Sequence, residues 1–508
     1  MKKFGLVSVG CALILGAAGC ISGCSKSNSN AKIFEITIAC QSEQSEQQVL
    51  EALKADYEKT HTDTKITIKP FSGLEFESYM MGVSENLDKS PNIIWTSDSY
   101  HGRWDEFFVD LRPFYEASAD TDYSLYYESM LDTAATNGEF KPTKSYSGTF
   151  RADNKDTTDD RSDYGLYFAP RDYNKPTVLC NTALFEKLDA QYAEYFGETE
   201  DTAMARLNDI VAGENWDNIE DLFDFSKMVA TKVDSVIKHA ESLGVAGAAV
   251  QDDWKYTYAL DLKLSWEPTY TTVLNALGAK NVINADGSLN LKANADKLKT
   301  LHSYLYPEGV SHLCNADEDD TKFAQGLIFM KVVSRPIVLS YSNSFKKMYG
   351  SSSLQSIQIP TAEIAAGCSG YAINRYYADK SVTVNGVTKS YNDICWDFIK
   401  YVITTDGQEV AGATGSNIPV LKSLHGEDVN PKWKNVADLT EMNHSAWIAG
   451  GELKQDLFNI YEAGSRYGLR TRFQDFFLNF QKSNYGKGSL ADLITYMESG
   501  YDYSGKIR

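Results

Sequence analysis

The apolar positions of the chain recur with two different periods. Ile33 to Ala39 alternates weakly between β-branched and polar residues, the repeat of a strand. Val49, Leu50, Leu53 and Tyr57 recur at three- and four-residue steps within Glu46 to Lys59, the repeat of an amphipathic helix. Lys65 to Ile68 predicts a second strand, Phe76 to Leu87 a second helix, and Asn92 to Trp95 a short apolar strand opened by Pro91. A β-α-β-α-β succession calls for parallel strands joined by right-handed crossovers. The first and third strands therefore end on the same edge of one sheet. Cys40-Gln41-Ser42 and Ser97-Asp98-Ser99 are expected to face a common crevice, the place where open α/β sheets take ligands.

Farther along, Leu222, Phe223, Met228, Val229 and Val233 predict a helix over Ile219 to Ile237, and the small residues of Gly244 to Ala249 predict a strand. From Leu421 onward the pattern predicts mostly helix, apolar-rich at Ile448 to Tyr461 and Thr471 to Phe480. Lys141 to Asp163 shifts to Thr, Ser, Asp and Lys and predicts an exposed insertion; Glu186 to Asp217 predicts an acidic helical one. Whether either caps the crevice is open at this level. Asp153 to Asp163 lacks the central Gly and terminal Glu of a calcium loop, so a solvated loop is the simpler reading. Asp317 to Asp320 is most simply charge at the start of a helix near Thr321.

With 508 residues the chain exceeds one ordinary domain, so two or more lobes are expected. Its 69 acidic against 49 basic side chains give a formal charge of −20, which argues against nucleic-acid and anionic-membrane surfaces. The 31 Tyr and 8 Trp suit a protein that presents flat apolar faces to a ligand. Lys2 and Lys3 followed by the apolar Phe4 to Ala18 read as a signal peptide rather than a membrane span. Ile21-Ser22-Gly23-Cys24 fits a lipobox better than Ala17-Ala18-Gly19-Cys20, so lipidation is expected at Cys24, with Cys20 the alternative. Residues 1–23 are then the signal and residues 24–31 a polar tether. Cys40, Cys180, Cys314, Cys368 and Cys395 remain, an odd set without CxxC spacing, whose flanks suggest small buried hydrophobes. The seven His show no HExxH pairing, and neither a metal nor a cofactor is called for.

Several stretches carry a resemblance. Pro91-Asn92-Ile93-Ile94-Trp95-Thr96-Ser97-Asp98 resembles Pro-Asp-Ile-Ile-x-Trp/Thr-x-Asp of the extracellular solute-binding proteins of ABC importers, the carbohydrate-binding, maltose-binding-protein-like family. Leu111 and Pro113 match the segment that follows, and Asn181, Leu184 and Phe185 match Tyr-Asn-x-x-Leu-Phe, with Cys180 where Tyr is usual. Leu274 to Gly278 with Asp286-Gly287, Phe323 to Met330, Ile357 to Pro360, Gly367 to Ile373, Cys395 to Gly407 and Asn417 to Val420 continue the series in order, from about residue 33 to 422. The resemblance implies a two-lobed α/β fold of the type II periplasmic-binding-protein kind, each lobe a sheet flanked by helices around a central cleft. Lobe 1 is expected over residues 32–172 and 361–419 and lobe 2 over 173–360 and 420–508, with crossings near 173, 360 and 420. It further implies a lipid-anchored, monomeric, extracytoplasmic binding component that captures a carbohydrate, an oligosaccharide above all, by hinge closure and hands it to the permease subunits, without catalysis.

A sugar ring needs flat aromatics for its C–H faces and planar polar groups for its hydroxyls. Asp98, at the mouth of the third strand, coincides with the family's sugar-binding carboxylate; an N-cap for a helix near Gly102 is its bland alternative. Trp95 and Tyr100 are candidate stacking faces, with sheet core the alternative for Trp95. Arg171, Asp172 and Tyr173 fall at the first hinge crossing, where a solvent-facing loop is the other reading. Trp254 is a candidate platform in the second lobe, Arg335 a candidate at its strand mouth, and Tyr371 and Asn417 match cleft-facing positions that packing also explains. Two other classes remain open: a surface lipoprotein for a peptide or protein partner, and a glycoside-active enzyme, which needs two carboxylates about 5–10 Å apart that no motif nominates.

Overall fold

The computed structural model describes residues 33–72, 90–98, 104–135, 165–244, 254–284, 289–426, 428–448, 463–486 and 488–499, with a few isolated residues between these stretches. The N-terminal leader with Cys20 and Cys24, Tyr100, and nearly all of the strand expected at Gly244 to Ala249, of the helix at Phe76 to Leu87 and of the insertion at Lys141 to Asp163 lie outside the described residues.

The first half-sheet follows the pattern of periods. β1 (Phe34–Gln41), α1 (Gln44–Thr60), β2 (Thr64–Phe71) and β3 (Ile93–Ser97) come in order, and α1 buries Val49, Leu50, Leu53 and Tyr57. β1 pairs in parallel with β2 from Phe34↔Thr64 to Gln41↔Phe71, and with β3 at Ile38↔Ile93 and Ala39↔Ile94. After α2 (Glu128–Ala134) comes β4 (Ala169–Asn174), and across Lys175-Pro176 the chain leaves this sheet for β5 (Thr177–Asn181). The predicted acidic insertion is α3 (Thr182–Phe196) and α4 (Ala203–Val211), and the long periodic helix is α5 (Ile219–Ser242), started by a capping box of Asn218 and Asp221. β6 (Tyr258–Asp261), α6 (Glu267–Ala276), α7 (Ala295–Leu305), β7 (Ile328–Val333), α8 (Arg335–Tyr349) and β8 (Leu354–Gln358) follow. The return runs through β9 (Ile364–Ala365) into β10 (Gly367–Ile373). A hairpin, β11 (Ser381–Val384) and β12 (Val387–Ser390), turns on Asn385-Gly386 with both φ values positive, 52° and 83°. Then come α9 (Tyr391–Ile403) and α10 (Thr405–Gly412), and last β13 (Leu453–Lys454), α11 (Ala463–Phe480) and α12 (Leu490–Ser499).

Two main sheets result, ordered β2-β1-β3-β10-β4 and β6-β7-β5-β8. β10 is antiparallel to β3 and β4, and β5 is antiparallel to β7 and β8. One apolar cluster gathers mainly around each sheet. β7 is buried along its whole length, which a strand covered on both faces requires to be apolar, yet it contains Lys331. Its partner is set by register: Asp261 of β6 stands opposite Lys331 and accepts from its Nζ at 2.7 Å, with Asp320 at 3.1 Å.

The C-terminal expectation needs correction. Among the described residues between Leu421 and Ile448 the only helical elements are single 3-10 turns (Lys422–Leu424, Lys432–Lys434, His444–Trp447). The buried anchors of this stretch, Trp433 and Trp447, sit in separate 3-10 turns, and its carbonyls are taken by tertiary donors such as Trp433 Nε1 on Leu424 and Ser356 Oγ on Asn443. Leu453–Lys454, expected as helix, instead pairs in parallel with β9 at Ile364–Ala365. Thr471 to Phe480 is helical as expected. The five described cysteines are buried and unpaired with one another, and burial pushes the Cys40 thiol up to about 12. Among the described residues no helix is long and apolar enough to cross a membrane.

Candidate functional site

A cavity of about 270 Å³ opens between the two sheets. On the first-sheet side it is walled by strand ends and one helix start: Gln41 at the end of β1, Glu43, Ser45 and Glu46 at the N-terminus of α1, and Ser97 and Asp98 at the end of β3. These are the strand ends that the crossover rule brings to one edge. β4 adds Arg171, Asp172 and Asn174, and β10 adds Gly367 and Ser369. The facing wall comes from helix starts of the other half, Trp266 and Pro268 at α6 and Ser334 and Pro336 at α8.

Arg171 is the hub of the floor. Its guanidinium is 3% exposed and donates to both oxygens of Glu46 (2.8 and 2.9 Å), to Asp172 Oδ2 (2.5 Å), to Tyr371 Oη (2.7 Å) and to Asn417 Oδ1 (3.1 Å). Burial by itself opposes the charge, but the Asp172 and Glu46 carboxylates hold it protonated well above its ordinary range. Asp172 Oδ1 accepts from Ser369 Oγ at 2.6 Å and from Ser369 N at 3.2 Å. A bulge lets consecutive residues of one strand share this site. Asp172 pairs with Ser369 while Pro170 pairs with Gly370, so Arg171 is the extra residue of β4, and it and Asp172 both line the cavity.

Asp98 projects over β10 into space left by a glycine: a Cβ on Gly367 would stand 2.7 Å from Asp98 Oδ2. Trp95, 8% exposed, belongs to the first core and also borders the cavity. Desolvation by the surrounding protein, then the charge of Glu46, raise the Glu43 carboxyl, against a lowering from Lys263.

The structure thus brings Trp95, Asp98, Arg171 and Asp172 to one cavity and places Tyr371 and Asn417 beneath them, as partners of Arg171. The other described candidates lie elsewhere. Tyr173 turns away from the cavity: it is 1% exposed, donates to the Trp447 carbonyl, and packs near His425 at 5.6 Å. Trp254 is core rather than platform: it is 1% exposed, stacks on Phe329 at 6.1 Å and belongs to the second apolar cluster. Arg335 lies behind the wall that its neighbours Ser334 and Pro336 form. It donates to the carbonyls of Gly415 and Trp433, both at 3.0 Å, between the rings of Trp433 and Trp447. Glu43, Glu46 and Trp266 were not singled out from sequence. The first-turn position of Glu46 on α1 was a usable signal for it, whereas Trp266 depends on how the halves face.

The strap around Arg335 carries a pH signature. Burial, then the Arg335 charge, lower His444 to about 4 from an ordinary 6.5. The unfolded chain therefore binds a proton that the folded chain refuses between these values, so stability is unaffected above about pH 6.5 and falls as pH drops toward 4, by at most about 1.4 kcal/mol per pH unit. Urea unfolding of the protein and of His444→Gln across this window is expected to give a shallower pH slope for the variant; equal slopes would exclude His444 as the source.

No protein-family model and no curated protein matches the chain. Solved structures do. Maltose-bound MalE3 of T. maritima aligns with a TM-score of 0.57 at 11% identity, covering 92% of this chain and 98% of that one. The sugar-binding protein MalE of Xanthomonas citri gives 0.57 at 12%, covering 92% and 95%. An ABC transporter solute-binding protein of Thermotoga lettingae, bound with α-D-tagatose, gives 0.56 at 12%, covering 92% and 98%. At such identities the likeness is one of fold, and the fold is that of the MalE-like, type II periplasmic binding proteins.

Proposed function

We propose that the protein is the substrate-binding component of an ABC importer for a carbohydrate, that it captures its ligand by hinge closure, and that it delivers it to the permease subunits. The observation that carries this reading is the cavity between the sheets, where the indoles of Trp95 and Trp266 border a rim of acceptors that includes Asp98 and Asp172. Flat apolar surfaces beside planar polar groups match a ring with C–H faces and a girdle of hydroxyls. The fold shared with sugar-binding solute-binding proteins supports the same conclusion. Closure takes place about the crossings near residues 173, 360 and 420, with the lobes divided as their sequence resemblance suggests. The lipobox at Cys24 supplies the anchor that keeps the protein at the outer face of the membrane. Mass spectrometry of the membrane-extracted protein tests this: a diacylated Cys24 is expected, and lipid on Cys20 moves the start of the mature chain.

Titration with mono- and oligosaccharides, polyols and peptides, followed by tryptophan fluorescence and melting temperature, tests the binding reading. A saturable response to one glycan class without turnover is expected. Asp98→Ala removes a charged acceptor, and a loss of about 10- to 100-fold in affinity is expected for that glycan. Trp266→Ala removes a stacking face, with a loss of about tenfold or more. Affinity unchanged in both variants would place the site elsewhere, and product formation would restore the enzyme reading.

A further inference from the structure

One buried charge has no place in the binding reading just given, and the inference drawn from it rests on that reading. Among the described residues three arginines are buried. Arg112 is paired with Asp110, and Arg171 with Glu46 and Asp172. Arg335 is 1% exposed, and no described carboxylate pairs with it. Its Nε and Nη2 donate to the carbonyls of Gly415 and Trp433, and its Nη1 makes no hydrogen bond. The indoles of Trp447 and Trp433 stand 5.4 and 5.9 Å from its Cζ. Burial lowers its pKa to about 9. An apolar side chain of similar length fills such a place without stranding a charge, so stability does not account for an arginine here. A rigid fork that reaches the carbonyls of two distant segments at once does.

Gly415 stands where two sides of the cavity meet. Its φ of +82° is a left-handed conformation that favours glycine, and a Cβ there would lie 3.1 Å from Val436 and 3.7 Å from Leu339 of α8. The next residue, Ser416, lines the cavity. Asn417 then accepts from Arg171 of β4 at 3.1 Å, and the Ile418 carbonyl accepts from the Tyr173 amide at 3.3 Å. Ser416 is thus held from α8 on one side and from β4 on the other. Arg335 is in turn flanked by Ser334 and Pro336, which form the facing wall. The bond from Arg335 to Gly415, 3.0 Å long, therefore joins the immediate neighbours of two opposing stretches of lining. Neither Arg335 nor Gly415 is among the described lining residues, so a ligand contact is not what the bond provides.

We infer that Arg335 is a positioning residue of the site: by holding the Gly415 carbonyl it fixes how the wall at Ser334 and Pro336 stands to the floor at Ser416 and Arg171, and the hinge closes about this tie. Without it the wall takes wider arrangements as well. The ligand then finds a smaller competent fraction, and apparent affinity falls by that fraction although no ligand contact is lost.

Pulsed electron spin resonance on the full chain without ligand tests this, with nitroxides at Glu51→Cys of α1 and Lys299→Cys of α7. Both sites are exposed, the five described native cysteines are buried, and each singly labelled protein supplies the background. With Arg335 in place one narrow distance is expected. Arg335→Met is expected to broaden it, adding separations longer by more than about 2 Å, the scale of hinge rearrangements. Arg335→Lys keeps a donor near the Gly415 carbonyl and is expected to restore most of the narrow distance. Gly415→Ala keeps the charge but displaces its acceptor, so broadening is expected there too, and this variant decides the matter if Arg335→Met does not fold. A lowered melting temperature with unchanged distances would show that Arg335 serves stability alone and would overturn the inference. In the panel of mono- and oligosaccharides, a responding glycan is expected to bind Arg335→Met about tenfold more weakly, the drop in its competent fraction. If no glycan responds, the carbohydrate reading falls, whereas the label distances still decide the role of Arg335.

Discussion

Arg171→Met is expected to cost about 3–5 kcal/mol of unfolding free energy and to abolish ligand binding, because it removes one partner of a buried ionic network. Glu46 and Asp172 are 8% and 5% exposed, and both are ion-paired with the one guanidinium of Arg171. Methionine fills much of the volume but leaves two carboxylates that must either take up protons or stay charged in a poorly solvated floor. The loss reaches the cavity, since Asp172 and Glu46 line it and Ser369 is oriented by Asp172. Urea unfolding followed by tryptophan fluorescence measures the effect. The double variant Arg171→Met, Glu46→Gln is expected to recover part of the stability, because one stranded charge is gone. A loss below about 1 kcal/mol in the single variant would mean that the network is solvated and contributes little.

The second large effect is expected at Gly370. A Cβ there would lie 1.8 Å from the carbonyl oxygen of Ala169, a backbone atom with nowhere to go. Gly370→Ala must therefore push β4 away from β10 at the bulge that presents Arg171, and a loss of several kcal/mol, about 3 or more, follows from such overpacking. Gly367→Ala is the matched control on the same strand. Its Cβ meets the Asp98 carboxylate rather than backbone, at 2.7 Å, so affinity is expected to fall while stability changes by about 1 kcal/mol or less. Equal stability losses in the two variants would show that the bulge is not the vulnerable feature. In the expected case Gly370 fixes the sheet, and Gly367 leaves room for the site.

Much of the fold was legible because it is local. The strand at β1, the helix at α1 and the order of the first three strands follow from side-chain periods that need only neighbouring residues. Handedness of the crossovers then puts Gln41 and Asp98 at one edge, and both line the cavity. The stretch from Leu421 to Ile448 was misread as helical because its anchors, Trp433 and Trp447, find their partners in Arg335, Ser356 and Tyr173, all distant in sequence.

The sequence by itself determined the α/β class, the paired halves, the acidic surface and the crevice edge carrying Trp95 and Asp98. Tertiary structure decided which neighbours face that crevice. Arg171, Asp172 and Tyr173 are consecutive, yet the first two line the cavity and the third packs toward Trp447; a one-residue bulge opposite Gly370 aims them so, and no period encodes it. Arg335 and Trp254 carry the right chemistry for a site, but their elements turn them toward backbone carbonyls and core. Trp266 gains its place only because the start of α6 is brought opposite β3. Periodicity reports which residues are apolar along a segment, whereas a binding wall depends on the packing of segments distant in the chain, and that packing is a property of the folded whole.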